Sequence, residues 1–266
     1  MWILHRNAVQ NPHIIYRRIF AGLTRGGRCN MINNIIGDEV RMKAEMISFP
    51  SGGRNLTAYY ARPEGENPLP GVLIIHEIFG LNENMREIAR RFAGEGYAAL
   101  AVDLFAGRSR IVCMFSLFLG SLNNAYDHGG IRDLRAALDF LGQQPGVEPV
   151  RLGAVGYCLG GGLAVALACA DNRLKAIAPY YGMNPRPLEA VQRSCPVVGS
   201  YPARDFTAKS GRALDAALER FQIPHDIKIY EGAKHAFFND TLPANYNADA
   251  ALDSWERVKA FFKDYV

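Results

Sequence analysis

The sequence contains no Cys-x-x-Cys pair, no zinc-type cysteine or histidine spacing, and no apolar run near the roughly 18–20 residues of a membrane span. Its five cysteines (Cys29, Cys113, Cys158, Cys169, Cys195) are an odd number with no secretory signal, which predicts free thiols in a reducing, cytoplasmic setting. The most apolar stretch, "IVCMFSLFLG" at 111–120, is too short to span and runs into "SLNNAYDHGG". It reads as a buried or lid-forming helix. Acidic residues and lysine are missing from residues 1–37, which hold five arginines: Arg6, Arg17, Arg18, Arg25 and Arg28. Subtracting those five from the formal charge of +4 leaves −1 on the remainder, so no basic groove for nucleic acid is expected. Residues 1–30 also lack serine, which counts against an organelle-targeting peptide. Residues 1–37 are expected to be a basic, loosely ordered extension, its first thirty residues preceding an internal start at Met31 or else forming a surface-bound arm; residues 38–266 are expected to form one domain.

What is present is regular. With 49% hydrophobic residues the chain can bury a substantial core. "AEMISFP" and "LTAYYARP" flank "SGGRN" and predict an N-terminal hairpin. "GVLIIHE", "YAALAVDLF", "RLGAVGYC", "LKAIAPYYG", "CPVVGSY" and "HDIKIYEG" read as strands. Helical stretches such as "NENMREIARRFAGEG" and "IRDLRAALDFLGQQ" lie between them. This alternation predicts an α/β fold, a mostly parallel, doubly wound sheet with helices on both faces.

Chemistry concentrates at Gly156-Tyr157-Cys158-Leu159-Gly160, where a strand meets a helix. That is the context of a nucleophile elbow, whose tight turn requires small neighbours. Gly156, Gly160, Gly161 and Gly162 supply them. The bland reading is a tight turn with an incidental cysteine, and the partners decide between the two. A triad on such a sheet runs in the order nucleophile, acid, histidine, with the later members in loops after strands. "PARD" offers Asp205 after one strand, and "EGAKHAFF" offers His235 after the next. Asp240 is a weaker rival to Asp205. Of the other histidines, His5 and His13 lie in the extension, His225 begins a strand, and His128 precedes a helix as a surface or capping residue. The backbone N–H of Leu159 would give half of an oxyanion hole and that of Ile78 the other half. "HEIFG" at 76–80 is no metal motif, because Gly80 stands where H-E-x-x-H needs histidine. No metal or other cofactor is expected.

The combination of "HEIFGLN", "DLFAGR", "GYCLGGG", "YYG", "GSYPARD" and "GAKHAFFND", spread over residues 40–266, resembles the dienelactone hydrolase family, an α/β-hydrolase branch. The resemblance implies an α/β-hydrolase fold and a Cys158–His235–Asp205 triad that cleaves lactones or small esters through a thioester acyl-enzyme. It further implies that Glu77 lies near the thiol and helps generate the thiolate on substrate binding. Ile78 and Leu159 match the oxyanion donors and Tyr181 a pocket tyrosine. Members of that family hold a substrate carboxylate with two arginines. Arg108 can fill the first role, one residue later than the pattern, but the second position is Asn239. Each charge-assisted hydrogen bond so lost is worth about 1.5–3 kcal/mol, which favours a less acidic lactone or ester. Glu77 opposes ionisation of the thiol while His235 and the helix dipole favour it. The insertion that follows "VDLF" would supply an apolar pocket wall through Phe115, Phe118 and Leu119, or would be ordinary core packing.

The sequence therefore predicts a cytoplasmic hydrolase of a small-molecule lactone or ester, monomeric or homodimeric, with no nucleic-acid partner. The alternative is a non-catalytic small-molecule-binding protein on a hydrolase scaffold. A thiol redox protein is a third reading, and it lacks a resolving cysteine near Cys158.

Overall fold

Strands that are apolar on both faces, separated by helices, bury themselves by forming one sheet with helices on each side. The computed structural model describes residues 2–4, 13–18, 39–65 and 68–266. In chain order the elements are β1 (Trp2–Leu4), β2 (His13–Arg18), β3 (Glu39–Ser51), β4 (Arg54–Pro63), β5 (Leu69–Ile75), α1 (Glu83–Gly94) and β6 (Ala98–Asp103). There follow α2 (Arg110–Asn124), α3 (Gly129–Gly142), β7 (Val147–Tyr157), α4 (Leu159–Ala170) and β8 (Leu174–Tyr180). A 3₁₀ turn at Leu188–Arg193 leads to β9 (Val197–Pro202), α5 (Ala208–Arg220), β10 (His225–Tyr230) and α6 (Ala248–Tyr265). Of the expected extension, only β1 and β2 fall within the described residues.

The sheet order is β1-β2-β3-β4-β6-β5-β7-β8-β9-β10. From β6 to β10 the neighbours run parallel, and from β1 to β4 they run antiparallel, with β4 antiparallel to β6. The hairpin β3–β4 turns at Gly52 and Gly53, with φ of +55° and +80°. A two-residue hairpin loop with both central φ positive matches the twist of its strands and favours glycine at both places.

Side chains of β5 alternate between two cores. Leu73 and Ile75 pack with Leu134 and Leu138 of α3, Leu163 of α4 and Leu214 of α5. Val72 and Ile74 pack with Ile88 and Phe92 of α1 and Trp255 and Phe262 of α6. Two helices therefore cover one face of the sheet and three the other. Each helix start is fixed locally where a side chain permits. Asn82 accepts from the Met85 N–H at 3.1 Å to cap α1. His128 caps α3 by accepting from the Gly130 N–H at 3.1 Å, and it is buried rather than on the surface.

All parallel strands bring their C-terminal ends to one edge, where loops of doubly wound sheets hold ligands. The loops after β5, β7, β8, β9 and β10 meet there. No helix among the described residues is long and apolar enough to cross a membrane.

Candidate active site

Between the last residue of β7 and the first of α4 stands Cys158 alone, so a single residue makes the turn. Its φ of +55° and ψ of −112° lie in a region that costs a non-glycine residue about 1–3 kcal/mol. The turn closes because its neighbours have no side chains. A Cβ on Gly156 would strike the Gly160 carbonyl, and one on Gly160 would strike the Ile75 carbonyl. The thiol is thereby lifted to the end of the sheet at the helix N-terminus.

His235 arrives from the loop after β10, and its Nε2 lies 3.1 Å from Cys158 Sγ. Its Nδ1 is 2.7 Å from Asp205 Oδ2, in the loop after β9. A carboxylate can only accept, so Nδ1 carries the hydrogen and Nε2 presents its lone pair to the thiol. The Asp205 Oδ2 atom also accepts from the Thr207 hydroxyl, and Asn245 Nδ2 donates to the His235 carbonyl at 2.7 Å. The Phe206 ring stacks on the imidazole with centroids 5.5 Å apart and planes 14° from parallel. Asp240, the rival acid, instead accepts from Asn84 and Arg91.

The backbone N–H groups of Leu159 and Ile78 lie close enough to the Cys158 sulfur to favour its thiolate. Burial, and then the Glu77 carboxylate, push the thiol up to about 11, with the two N–H groups pulling the other way and Asp205 adding to the rise. Burial and Glu77 thus act against the thiolate, and the two N–H groups act for it.

Glu77 sits at the end of β5 and is 2% exposed. Its carboxyl accepts from Tyr181 Oη at 3.2 Å and from Asn239 Nδ2 at 2.9 Å. The Asn239 amide cannot flip freely, because its Oδ1 accepts from the Thr241 N–H at 3.0 Å and from the Thr241 hydroxyl at 2.6 Å. Burial holds the Glu77 pKa above the usual carboxylate range, and the hydrogen bonds from Asn239 and Tyr181 and the charge of His235 offset it only in part. His76, one residue earlier, is 1% exposed. Its Nδ1 faces the Glu77 carbonyl at 2.6 Å, and its Nε2 accepts from the Leu104 N–H at 3.1 Å. Burial lowers its pKa, so a neutral ring ties the end of β5 to the end of β6.

The remaining residues singled out from the sequence lie further out. Arg108 is exposed and donates through its backbone N–H and Nε to the Phe105 carbonyl, at 3.0 and 3.4 Å. The inner face of α2, Cys113 and Leu117, packs on Phe105 and against Leu159. Phe115 and Leu119 lie on the outer face, 63% and 59% exposed. Phe118 lies outside the residues whose side chains are described. Among the described contacts, Arg108 and Phe115 do not reach the group around Cys158. Thr207, Asn245, Phe206 and His76 went unnoticed in the sequence. Thr207 and Phe206 flank Asp205 closely enough for proximity alone to have flagged them, whereas His76 and Asn245 act through backbone groups that a sequence pattern does not reveal. Among the described residues, no group of three or more His, Cys, Asp or Glu side chains is placed to share a metal ion.

The strand order, the elbow after β7 and the loops that converge on it make this chain an α/β-hydrolase. The comparison with known proteins narrows the class. The profile of the dienelactone hydrolase family matches residues 56–266. A protein of Saccharolobus solfataricus named "Putative carboxymethylenebutenolidase" is 33% identical over 255 residues, covering 82% of this chain and 97% of its own length. Among solved structures, the "Putative Dienelactone Hydrolase" of Klebsiella pneumoniae superposes with a TM-score of 0.74 at 31% identity, covering 84% of this chain and 99% of that one. A dienelactone hydrolase-like promiscuous phosphotriesterase from metagenomic libraries gives a TM-score of 0.75 at 26% identity, covering 84% and 98%. The chain belongs to the dienelactone hydrolase family and is a hydrolase of its lactone- and ester-cleaving class.

Proposed function

We propose that the protein hydrolyses lactones or small carboxylic esters through Cys158, His235 and Asp205, with a thioester intermediate. One observation carries the reading: the thiol, the imidazole and the carboxylate stand in line, with separations of 3.1 and 2.7 Å. In the proposed reaction the substrate carbonyl oxygen enters between the N–H groups of Ile78 and Leu159. As sulfur attacks, its proton passes to His235 Nε2, and Asp205 stabilises the imidazolium so formed. The tetrahedral oxyanion is held by the two N–H donors. Collapse breaks the bond from carbon to the leaving oxygen, and His235 returns the proton to that alkoxide. A water molecule then loses a proton to His235, attacks the thioester carbonyl and releases acid and thiol. From a lactone, the acid and alcohol leave as one hydroxy acid.

Glu77 takes part by proximity rather than by contact with sulfur. Its carboxyl keeps the resting thiol protonated, which protects it from chance alkylation and oxidation. The free thiols of Cys113, Cys158, Cys169 and Cys195 fit a reducing, cytoplasmic location.

The test is release of p-nitrophenol from p-nitrophenyl acetate by the wild type and by Cys158→Ala and His235→Ala. Each substitution is expected to reduce kcat by on the order of 10³-fold or more. Acyl adduct on Cys158, seen by mass spectrometry of wild type quenched in acid, should vanish in Cys158→Ala. Turnover that both substitutions leave intact would refute the assignment.

A further inference from the structure

Three of the loops that deliver polar groups to the site, those after β5, β8 and β9, also expose a large apolar side chain within two positions of that group. Ile78 and Phe79 follow Glu77 and are 37% and 40% exposed; Met183 follows Tyr181 and is 61% exposed; Phe206 follows Asp205 and is 66% exposed. Contacts tie three of the four to the centre. The Ile78 N–H lies near enough to Cys158 to favour its thiolate, and the Phe206 ring lies on His235. The Met183 carbonyl sits against Gly162, in the first turn of α4. Apolar side chains scattered singly over a surface need no explanation, but a cluster around a reactive group marks a binding surface. Charge points the same way. The carboxyls of Glu77 and Asp205 both raise the cost of negative charge at the sulfur, and the donors that hold Glu77 are neutral. Arg108, the exposed cation considered for a carboxylate, turns to the Phe105 carbonyl.

Resting on the proposed hydrolase reading, we infer that Ile78, Phe79, Met183 and Phe206 form an apolar rim that selects uncharged substrates carrying an alkyl or aryl group next to the scissile ester. Phe206 acts as the platform nearest the leaving oxygen, because its ring covers the imidazole that protonates that oxygen. An anionic group at the same distance from the carbonyl would lie against the rim without a partner and close to two carboxyls.

Two measurements test this separately from the reaction. The first compares kcat/KM for methyl 4-acetoxybenzoate and for 4-acetoxybenzoate, which share a leaving-group skeleton and differ in charge. The second follows alkylation of Cys158 by N-hexylmaleimide and by 6-maleimidohexanoate, each divided by its rate with a small free thiol. Preference for the uncharged partner by about tenfold is expected in both, the worth of roughly two buried methylenes. Phe79→Ser and Met183→Ser should each move the ratio of the two normalised alkylation rates toward one, while Tm, which reports folding, stays at the wild-type value. Equal normalised rates for the two maleimides would overturn the rim. Esters cleaved by Cys158 without discrimination would also overturn it and leave the hydrolase reading standing. Maleimide discrimination without Cys158-dependent turnover would refute the hydrolase reading alone.

Discussion

The two ends of α4 are built on opposite principles. At its N-terminus Cys158 occupies a backbone conformation that disfavours side chains, and the adjoining carboxyl, Glu77, is buried against neutral donors. At its C-terminus the free carbonyls are capped by guanidinium groups: Arg193 Nε donates to Cys169 O at 3.0 Å, and Arg135 donates to Ala170 O. The adjoining carboxyl there is Asp171, which accepts from Arg173 at 2.9 and 2.6 Å. Burial pushes the Asp171 pKa up, but the hydrogen bonds and charge of Arg173, with the charge of Arg135, outweigh it and hold the pKa below the usual range. Glu77, also shielded, moves the other way. Burial alone does not set the direction; the charge of the donors does. One end of the helix carries backbone strain and a carboxyl held by neutral donors, and the other is capped and charge-paired.

The largest contrast should come from relaxing the strained end. Cys158→Gly removes the Cβ from a conformation only glycine adopts freely, so turnover is expected to vanish while the fold gains about 1 kcal/mol after glycine's entropy cost. Calorimetry would show a higher Tm for the inactive variant, and a lower one would contradict the account of strain. Breaking the opposite end should do the reverse. Arg173→Ala removes the guanidinium that hydrogen-bonds Asp171, leaving only the more distant Arg135, and is expected to cost about 2 kcal/mol of stability with kcat unchanged. The Asp171 pKa is lowered in the folded protein, so its contribution is present above the ordinary carboxylate pKa and lost as pH falls through the folded value. The Tm gap between wild type and Arg173→Ala should therefore close in acid.

Glu77→Gln sharpens the comparison on the reactive side. The Glu77 pKa is raised in the folded protein. Native protein therefore binds the Glu77 proton more tightly than unfolded protein, and stability falls as pH rises from the ordinary carboxylate pKa through the folded one. Glutamine abolishes that loss, so the variant should be the more stable at neutral pH and the two should converge in acid. Its thiol should also alkylate at lower pH, since Glu77 is the largest single charge holding Cys158 near 11. Superimposable alkylation curves would remove Glu77 from control of the sulfur.

These contrasts were only partly visible in the sequence. The sheet, its helices and the Cys158, Asp205 and His235 positions could be read because each rests on a local signal: an apolar run, a capping residue, a glycine cluster, a residue at a strand end. The Gly52–Gly53 turn was legible for the same reason. What the sequence withheld depends on side-chain direction over long separations. Glu77 and Asn239 are 162 residues apart, and nothing local says that the amide turns to the carboxyl rather than to substrate. The α2 segment was read as a buried or lid-forming helix, and composition alone could not say which residues would be covered: Cys113 packs inward, whereas Phe115 lies exposed on the opposite side.

The smallest expected loss of activity concerns Thr207, where the two principles meet in one residue. It occupies the N-cap position of α5, where a threonine hydroxyl ordinarily accepts from its own helix and contributes about 1 kcal/mol. Here the side chain makes no cap hydrogen bond and donates to Asp205 Oδ2, the oxygen that also faces His235 Nδ1. The helix end has been left uncapped by its side chain so that the carboxylate can be oriented. Thr207 is fully buried, so Thr207→Val keeps its shape and removes only the donor. The bond removed is to a carboxylate, so a stability cost of about 1.5–3 kcal/mol is expected alongside the kinetic effect. Asp205 would keep its charge but lose one fixed direction, and kcat is expected to fall by about three- to tenfold with KM unchanged. A Tm drop with kcat intact would mean that the hydroxyl serves the fold alone and that Asp205 needs no help in aiming the imidazole.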